Sequence, residues 1–221
     1  MFGLPKTTDF NKKIPKQKFY EKLEITPALK RVFVEQIKAV YWTNKIAAST
    51  TNLAVGKYVS EIEIFKVELS SDNLDLSALQ LIDKAIPYHI IFALCFDDLY
   101  QFVTSFKLNS LRPSPYTLTP LSFFRTDWLP ESELTLPING LDLDTVYENI
   151  VRFIAGDALI SKEDKEESLQ ESIQRAELRQ KLTKQIERLQ SKINKEKSFA
   201  RQVELNTQLK ALKRQLEELM N

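Results

Sequence analysis

Glycine is scarce in this chain: four occur in 221 residues, Gly3, Gly56, Gly140 and Gly156. Their spacing matches neither a dinucleotide fingerprint nor a P-loop, which excludes phosphate cradling by a glycine-rich loop. One histidine, His89, and one cysteine, Cys95, cannot assemble a structural zinc site. A single cysteine also excludes an internal disulfide and fits a reducing compartment. Long apolar runs are missing too. The longest, Ile90 to Phe96, has the length of a buried strand and falls far short of the ~20 residues that cross a bilayer. Cys95 lies inside this run and reads as a buried, inert thiol. Met1 to Lys6 carries no apolar core of signal-peptide type, so a cytoplasmic protein is expected.

What is present is ordinary globular material with an uneven charge map. Hydrophobic residues make up 43% and charged residues 28% of the chain, enough for a packed core and too apolar for global disorder. The net charge is +1, yet residues 1–60 hold 11 Lys/Arg against 4 Asp/Glu, residues 61–160 hold 6 against 15, and residues 161–221 hold 14 against 11. A basic first third beside an acidic middle third permits two readings: mutual compensation on one folded surface, or a face that meets phosphates or an acidic partner.

The opening segment reads as an extended arm up to Pro15, and a short helix is expected over Lys16 to Leu23. Thr26-Pro27 then supplies an N-cap and a first-turn proline. Leu29, Phe33, Ile37 and Val40/Tyr41 recur at helical spacing, which predicts an amphipathic helix to about Asn44. From Val59 to Leu69 the period changes to two, giving a strand with Glu61, Glu63, Phe65 and Val67 on one face. Helical spacing returns through Leu76, Leu79, Ile82 and Ile86 until Pro87 stops it. His89 to Phe96 is apolar on both faces, as a central strand is, and Asp97-Asp98 turns the chain into a partner strand, Tyr100 to Leu108. The prolines that follow allow only edge strands, around Leu121 to Arg125. Asp142 caps a last helix with Val146, Ile150, Phe153 and Ile154 on one face. The expected fold is α/β over residues 1–160, a mixed sheet of about four strands flanked by helices, with one βαβ crossover between residues 59 and 96.

Beyond Leu159 the composition turns to Lys, Glu, Gln, Arg and Leu, with neither Pro nor Gly to Asn221. Leu182, Ile186, Leu189 and Ile193 form one coiled-coil seam; Leu205, Leu209, Leu212, Leu216 and Leu219 form another. Their phases disagree, because continuing the first seam lands on Glu196, Ala200, Val203, Thr207 and Lys210. A continuous helix would rotate its apolar stripe away from any partner there, whereas two helices folded back can each face the other. Residues 165–221 are therefore expected to form an antiparallel helical hairpin turning between Asn194 and Phe199, with Asn194 as cap and Phe199 covering the tip.

Two residue sets could carry chemistry. Glu61 and Glu63 share a strand face and Asp83 ends the next helix; such oxygens hold Mg²⁺ in phosphate chemistry. A restriction-type nuclease core also wants a lysine two positions after a strand carboxylate, but Lys66 follows Glu63 by three and points to the other face. Solvent-facing charges on a half-exposed strand are the favoured account, with no catalytic residue, no metal and no cofactor assigned. His89 reads as a packed strand-end histidine, since no nucleophile-elbow motif accompanies it. In the second set, Lys12, Lys13, Lys16, Lys18 and Lys22 interleave with Phe10, Phe19 and Tyr20, and Lys30, Arg31 and Lys38 follow. Cations for phosphates and aromatics for stacking suit nucleic acid; the competing reading puts the aromatics in the core and leaves the lysines solvated.

Several stretches carry a resemblance. Lys192 to Ala200 followed by a Leu/Lys/Glu heptad is similar to the C-terminal arm of valyl-tRNA synthetases, which implies the shape of an antiparallel hairpin; Arg201-Gln202-Val203 stands where that arm usually has a proline. More widely, MFGLPK (1–6), NKKIPKQKFY (11–20), Lys30 to Trp42 with Asn44-Lys45, VSEIEIFKVEL (59–69), DKAIPYHIIF (83–92) and Glu196 to Leu219 together resemble the bacterial domain of unknown function 4391. That resemblance implies a bacterial cytoplasmic protein encoded beside helicases and DNA methyltransferases of restriction or antiphage systems, and it supplies no catalytic residues. The resulting expectation is a non-enzymatic accessory subunit of a DNA-defence system. It would associate with a protein partner or with itself through the tail, and its basic N-terminal face is a candidate contact for DNA or RNA. The alternative is a divergent Mg-dependent nuclease using Glu61, Glu63 and Asp83.

Overall fold

In the computed structural model, which describes residues 1–21, 25–106, 123–159 and 167–220, the longest strand is one that periodicity placed inside a helix. Helix α2 (Pro27–Glu35) begins as expected, with Thr26 Oγ1 accepting the Leu29 N–H at 3.2 Å. It then stops, and Ile37–Ala47 is strand β2. Phe33, Ile37 and Val40 suit either period, so spacing alone does not separate the two. The β-branched and aromatic run through Val40, Tyr41, Trp42, Thr43 and Ile46 favours extension, and β2 lies inside a sheet with a neighbour on each side.

The expected N-terminal arm is one of those neighbours. Strand β1 (Asp9–Ile14) pairs antiparallel with β2 and carries a register shift between Asp9 and Lys12, where Asn11 takes a left-handed φ of 49°. This bulge suits an edge strand whose side chains are almost all exposed. Helix α1 (Gln17–Glu21) follows. Beyond β2 the chain runs through β3 (Glu61–Leu69), α3 (Ser77–Ala85), β4 (His89–Phe96), β5 (Leu99–Ser105), β6 (Phe123–Arg125), β7 (Leu129–Pro130) and α4 (Leu143–Ala155). The described strands form one seven-stranded sheet in the order β1-β2-β3-β4-β5-β6, with β7 beside β5. That is more than the four expected: the edge strand near Leu121 to Arg125 is present as β6, whereas β2 was hidden in the expected helix, β1 in the expected arm, and β7 is only two residues long. The βαβ crossover is as predicted: β3 and β4 are parallel, joined through α3. Asp97 and Asp98, at φ 46° and 63°, make the tight turn from β4 to β5.

Helices cover both faces. On one, Phe19 of α1, Phe33 of α2 and Leu79 and Ile82 of α3 pack with Phe65, Ile90, Phe92 and Val103 of the sheet. On the other, α4 lies against β3, β5 and β6, and the Tyr147 ring meets His89. Val146, Ile150 and Ile154 are buried as expected, but Phe153 is 41% exposed, one position off the buried stripe. The loop before β3 is tied to α4 by a single carboxylate. Asp144 accepts the N–H groups of Lys57, Tyr58 and Val59 at 2.7, 3.0 and 2.7 Å. Gly56 is required by that close approach, since a Cβ there would sit 2.1 Å from Asp144 Oδ1.

Contacts divide the chain into two units, Met1–Ala155 and Gly156–Asn221. The second holds helices α5 (Leu169–Lys195) and α6 (Phe199–Met220). A capping box opens α5, with Ser168 and Glu171 bonded reciprocally. The two helices pack on each other through Ile193, Leu205 and Leu209, flanked by Ile186 and Leu189. Both predicted seams therefore meet.

Candidate functional site

Glu63 is the most unusual side chain in the first unit. Strand register places it opposite Lys45 on β2 and Ile90 on β4, on the face covered by α3. It is 1% exposed, and neither carboxyl oxygen has a hydrogen-bond partner. Burial above all, with the Glu61 charge adding to it and Lys45 opposing both, pushes its pKa up from the ordinary carboxylate range to about 8. A carboxyl buried beside a second carboxylate holds its proton at neutral pH. The expectation of a solvent-facing charge was therefore wrong for Glu63: strand alternation shows which face it shares, but not that α3 closes over that face.

Glu61, two residues earlier on the same face, is ion-paired to Lys45, with Nζ 2.7 Å from Oε2. Lys45 titrates above its ordinary range, chiefly through that hydrogen bond. The cation beside these two carboxyls thus comes from the neighbouring strand. Lys45 went unrecognised because the helix expected to run to Asn44 hid β2.

Asp83 belongs to a different group. It is 1% exposed, and its Oδ2 accepts the Ser105 hydroxyl at 2.8 Å. The Ser105 carbonyl in turn accepts the Tyr147 hydroxyl at 2.7 Å, and the buried His89 ring lies edge-on to Tyr147 at 4.3 Å. Ser105 and Tyr147 gave no signal in the sequence. His89 is packed as expected, with its ring on Tyr147, and the Ser105 hydroxyl is turned to Asp83. Among the described residues no group of three or more His, Cys, Asp or Glu side chains is placed to hold a metal ion, so Glu61, Glu63 and Asp83 do not form one ligand set. Cys95 is half-buried on β4 opposite Tyr100 and less enclosed than expected.

The basic N-terminal residues divide by role. Lys16 is structural: Nζ donates to the carbonyls of Phe33, at 3.0 Å, and Ile37, closing the end of α2, and burial lowers its pKa. Phe19 is core. Lys12 and Lys13 on β1, Lys18 on α1, Lys30 and Arg31 on α2 and Lys38 on β2 are exposed, with Arg31 facing Glu35 at 3.8 Å. Lys22 lies outside the described residues. Lys13 sits 5.6 Å from the Tyr41 ring centre, which Lys66 approaches at 5.8 Å. Phe10, 44% exposed, lies against Trp42 with ring centres 4.0 Å apart.

In the second unit the turn pivots on Glu196, not Asn194. The Glu196 carboxylate accepts the N–H groups of Lys197 and Ser198 at 2.8 and 2.9 Å, and its carbonyl accepts Gln202 Nε2 at 2.7 Å. The bond from Ser198 holds that carboxyl below its usual range. Asn194 remains inside α5, accepting from Gln190 at 3.3 Å. Phe199 does not cover the tip: it is 79% exposed, and Val203, one turn on, is 51% exposed.

The profile of one family, a domain of unknown function (DUF4391), matches residues 2–216. No curated protein and no solved structure matches the chain.

Proposed function

Taking as premise that the chain belongs to the DUF4391 family, we propose that it is a non-enzymatic accessory subunit of a bacterial DNA-defence assembly, associating with a protein partner through its helical hairpin. One observation carries this reading. The paired helices present Phe199 and Val203 side by side and largely exposed, at i and i+4 on one face next to the turn. Neighbouring exposed apolar side chains on a rigid rod are what a hydrophobic groove accepts. The defence setting is what the family resemblance implies. The exposed lysines Lys12, Lys13, Lys18, Lys30 and Lys38, with Phe10 against Trp42, supply a subsidiary contact for single-stranded nucleic acid.

The test is copurification from a native host with its neighbouring gene products, comparing the full chain with a Phe199→Asp/Val203→Asp variant. Both positions are exposed, so helix content should not change. Loss of a hot-spot aromatic costs about 2 kcal/mol or more, roughly 30-fold in affinity. Unchanged recovery of the partner contradicts the reading. So does Mg²⁺-dependent DNA cleavage by the purified protein that Glu61→Gln or Asp83→Asn abolishes, which would restore the nuclease alternative.

A further inference from the structure

Charge in the second unit is segregated along the hairpin. Residues 179–214 hold 11 Lys/Arg and 3 Asp/Glu, a net +8, while the rest of 161–221 holds 3 against 8, a net −5. Five of the cations, Lys181, Lys184, Arg188, Lys192 and Lys195, step by 3, 4, 4 and 3 residues along α5, so they form one stripe. All five are exposed. Among the described residues none is held in an ion pair, whereas Arg175, Arg201 and Arg214 are paired to Glu167, Glu204 and Glu218. The apolar seam of α5 uses Leu182, Ile186, Leu189 and Ile193, and therefore a different face. Beside the stripe, Gln185, Arg188 and Lys192 of α5 and Gln208 of α6 line a groove floored by Leu189 and Leu212. Like charges at these spacings repel and weaken the helix; among the described residues only Lys192 feels a nearby carboxylate, that of Glu196, so the row is costly unless a polyanion completes it.

We propose that this outer face of α5 is a sequence-independent contact for the backbone of double-stranded nucleic acid. The row spans about 21 Å at 1.5 Å per residue, and a duplex offers a phosphate about every 1.7 Å of its axis. The stripe contains no aromatic side chain, so it offers phosphate contacts without a stacking platform, which separates it from a single-strand groove. Its cations stand on a helix braced by the seam with α6. The proposal extends the reading of the hairpin as the associating arm and rests on it for the role of that arm, while the stripe and the Phe199/Val203 pair can be altered separately.

The experiment measures binding of the full-length protein to a 30-base-pair DNA duplex, the same sequence as RNA duplex, the single strand, and polyglutamate, between 50 and 200 mM salt. Five phosphate contacts give a log–log slope near −4.5, an affinity loss of roughly 500-fold across that range. Lys184→Gln/Arg188→Gln/Lys192→Gln should flatten the slope by about 2.7 with helix content unchanged, and the tighter duplex identifies DNA or RNA as the ligand. Phe199→Asp/Val203→Asp should leave duplex binding intact even where it abolishes partner copurification. An unchanged slope in the triple variant overturns the proposal, as does tighter binding to the single strand once the β1 contact is removed by Lys12→Gln/Lys13→Gln. Loss of duplex binding on Lys12→Gln/Lys13→Gln alone moves the contact to β1 and overturns it, and equal affinity for polyglutamate overturns it in favour of an acidic protein surface.

Discussion

The two units handle charge in opposite ways. The sheet unit encloses ionisable groups: Glu63, Asp83 and His89 are each at most 1% exposed, and each sits where a helix closes over a strand. The hairpin leaves most of its charges in water, the Arg175–Glu167 pair apart, and its two helices meet along a thin seam. A sheet covered on both faces has an interior in which a carboxyl is forced neutral or into a specific bond; a two-helix rod has no such interior. Chemistry that needs a proton affinity raised by burial therefore suits the first unit, and contacts that depend on reach and surface charge suit the second.

The largest expected effect tests whether the units are energetically separate. Phe92→Ala removes a fully buried ring from the sheet core and should cost about 3–5 kcal/mol. Both tryptophans, Trp42 and Trp128, lie in the sheet unit, so their fluorescence should report the loss while helical ellipticity from the hairpin persists. A single transition seen by both probes would break the comparison. The reciprocal change, Leu205→Ala, opens the seam at its most buried position. It should cost the hairpin about 2 kcal/mol, with tryptophan fluorescence unchanged.

Glu63 sharpens the comparison through pH. Its unfolded form loses its proton near 4.5 and its folded form near 8. Between those values the folded state binds more protons, so stability falls as pH rises, by up to about 1.4 kcal/mol per pH unit, and levels off above pH 8. Glu63→Gln, a neutral isostere, should abolish the slope in denaturant melts run from pH 5 to 8, while the hairpin variants keep it. The smallest effect is expected at the turn. Glu196→Ala removes the carboxylate oxygen that accepts two exposed backbone N–H groups and should lower the thermal midpoint of the hairpin slightly, without changing the wild-type pH response of the sheet unit.

What could be read in advance follows the same division. The hairpin was legible because each helix of a two-helix rod needs its own uninterrupted stripe, and two stripes out of phase admit few arrangements. Its turn residue was not, because Glu196 acts through local backbone bonds that leave no periodic trace. In the sheet unit the βαβ crossover, the Asp97-Asp98 turn and the caps at Thr26 and Asp142 were legible as local chemistry. β2 was not, because Phe33, Ile37 and Val40 satisfy a helical period until tertiary pairing decides. The burial of Glu63 and its juxtaposition with Lys45 depend on that missed strand and on α3 above it. Asp83, Ser105 and Tyr147 meet only through tertiary packing and leave no pattern in the chain.

The reversal of the second unit is tested most directly by one distance. Spin labels at Gln185→Cys and Ala211→Cys in a Cys95→Ser background, diluted with unlabelled protein, report the separation of two groove-lining positions within one chain. The hairpin predicts a separation below about 20 Å, whereas an unbroken helix would place the 26 intervening steps of 1.5 Å between them, about 39 Å. The longer distance would contradict the account.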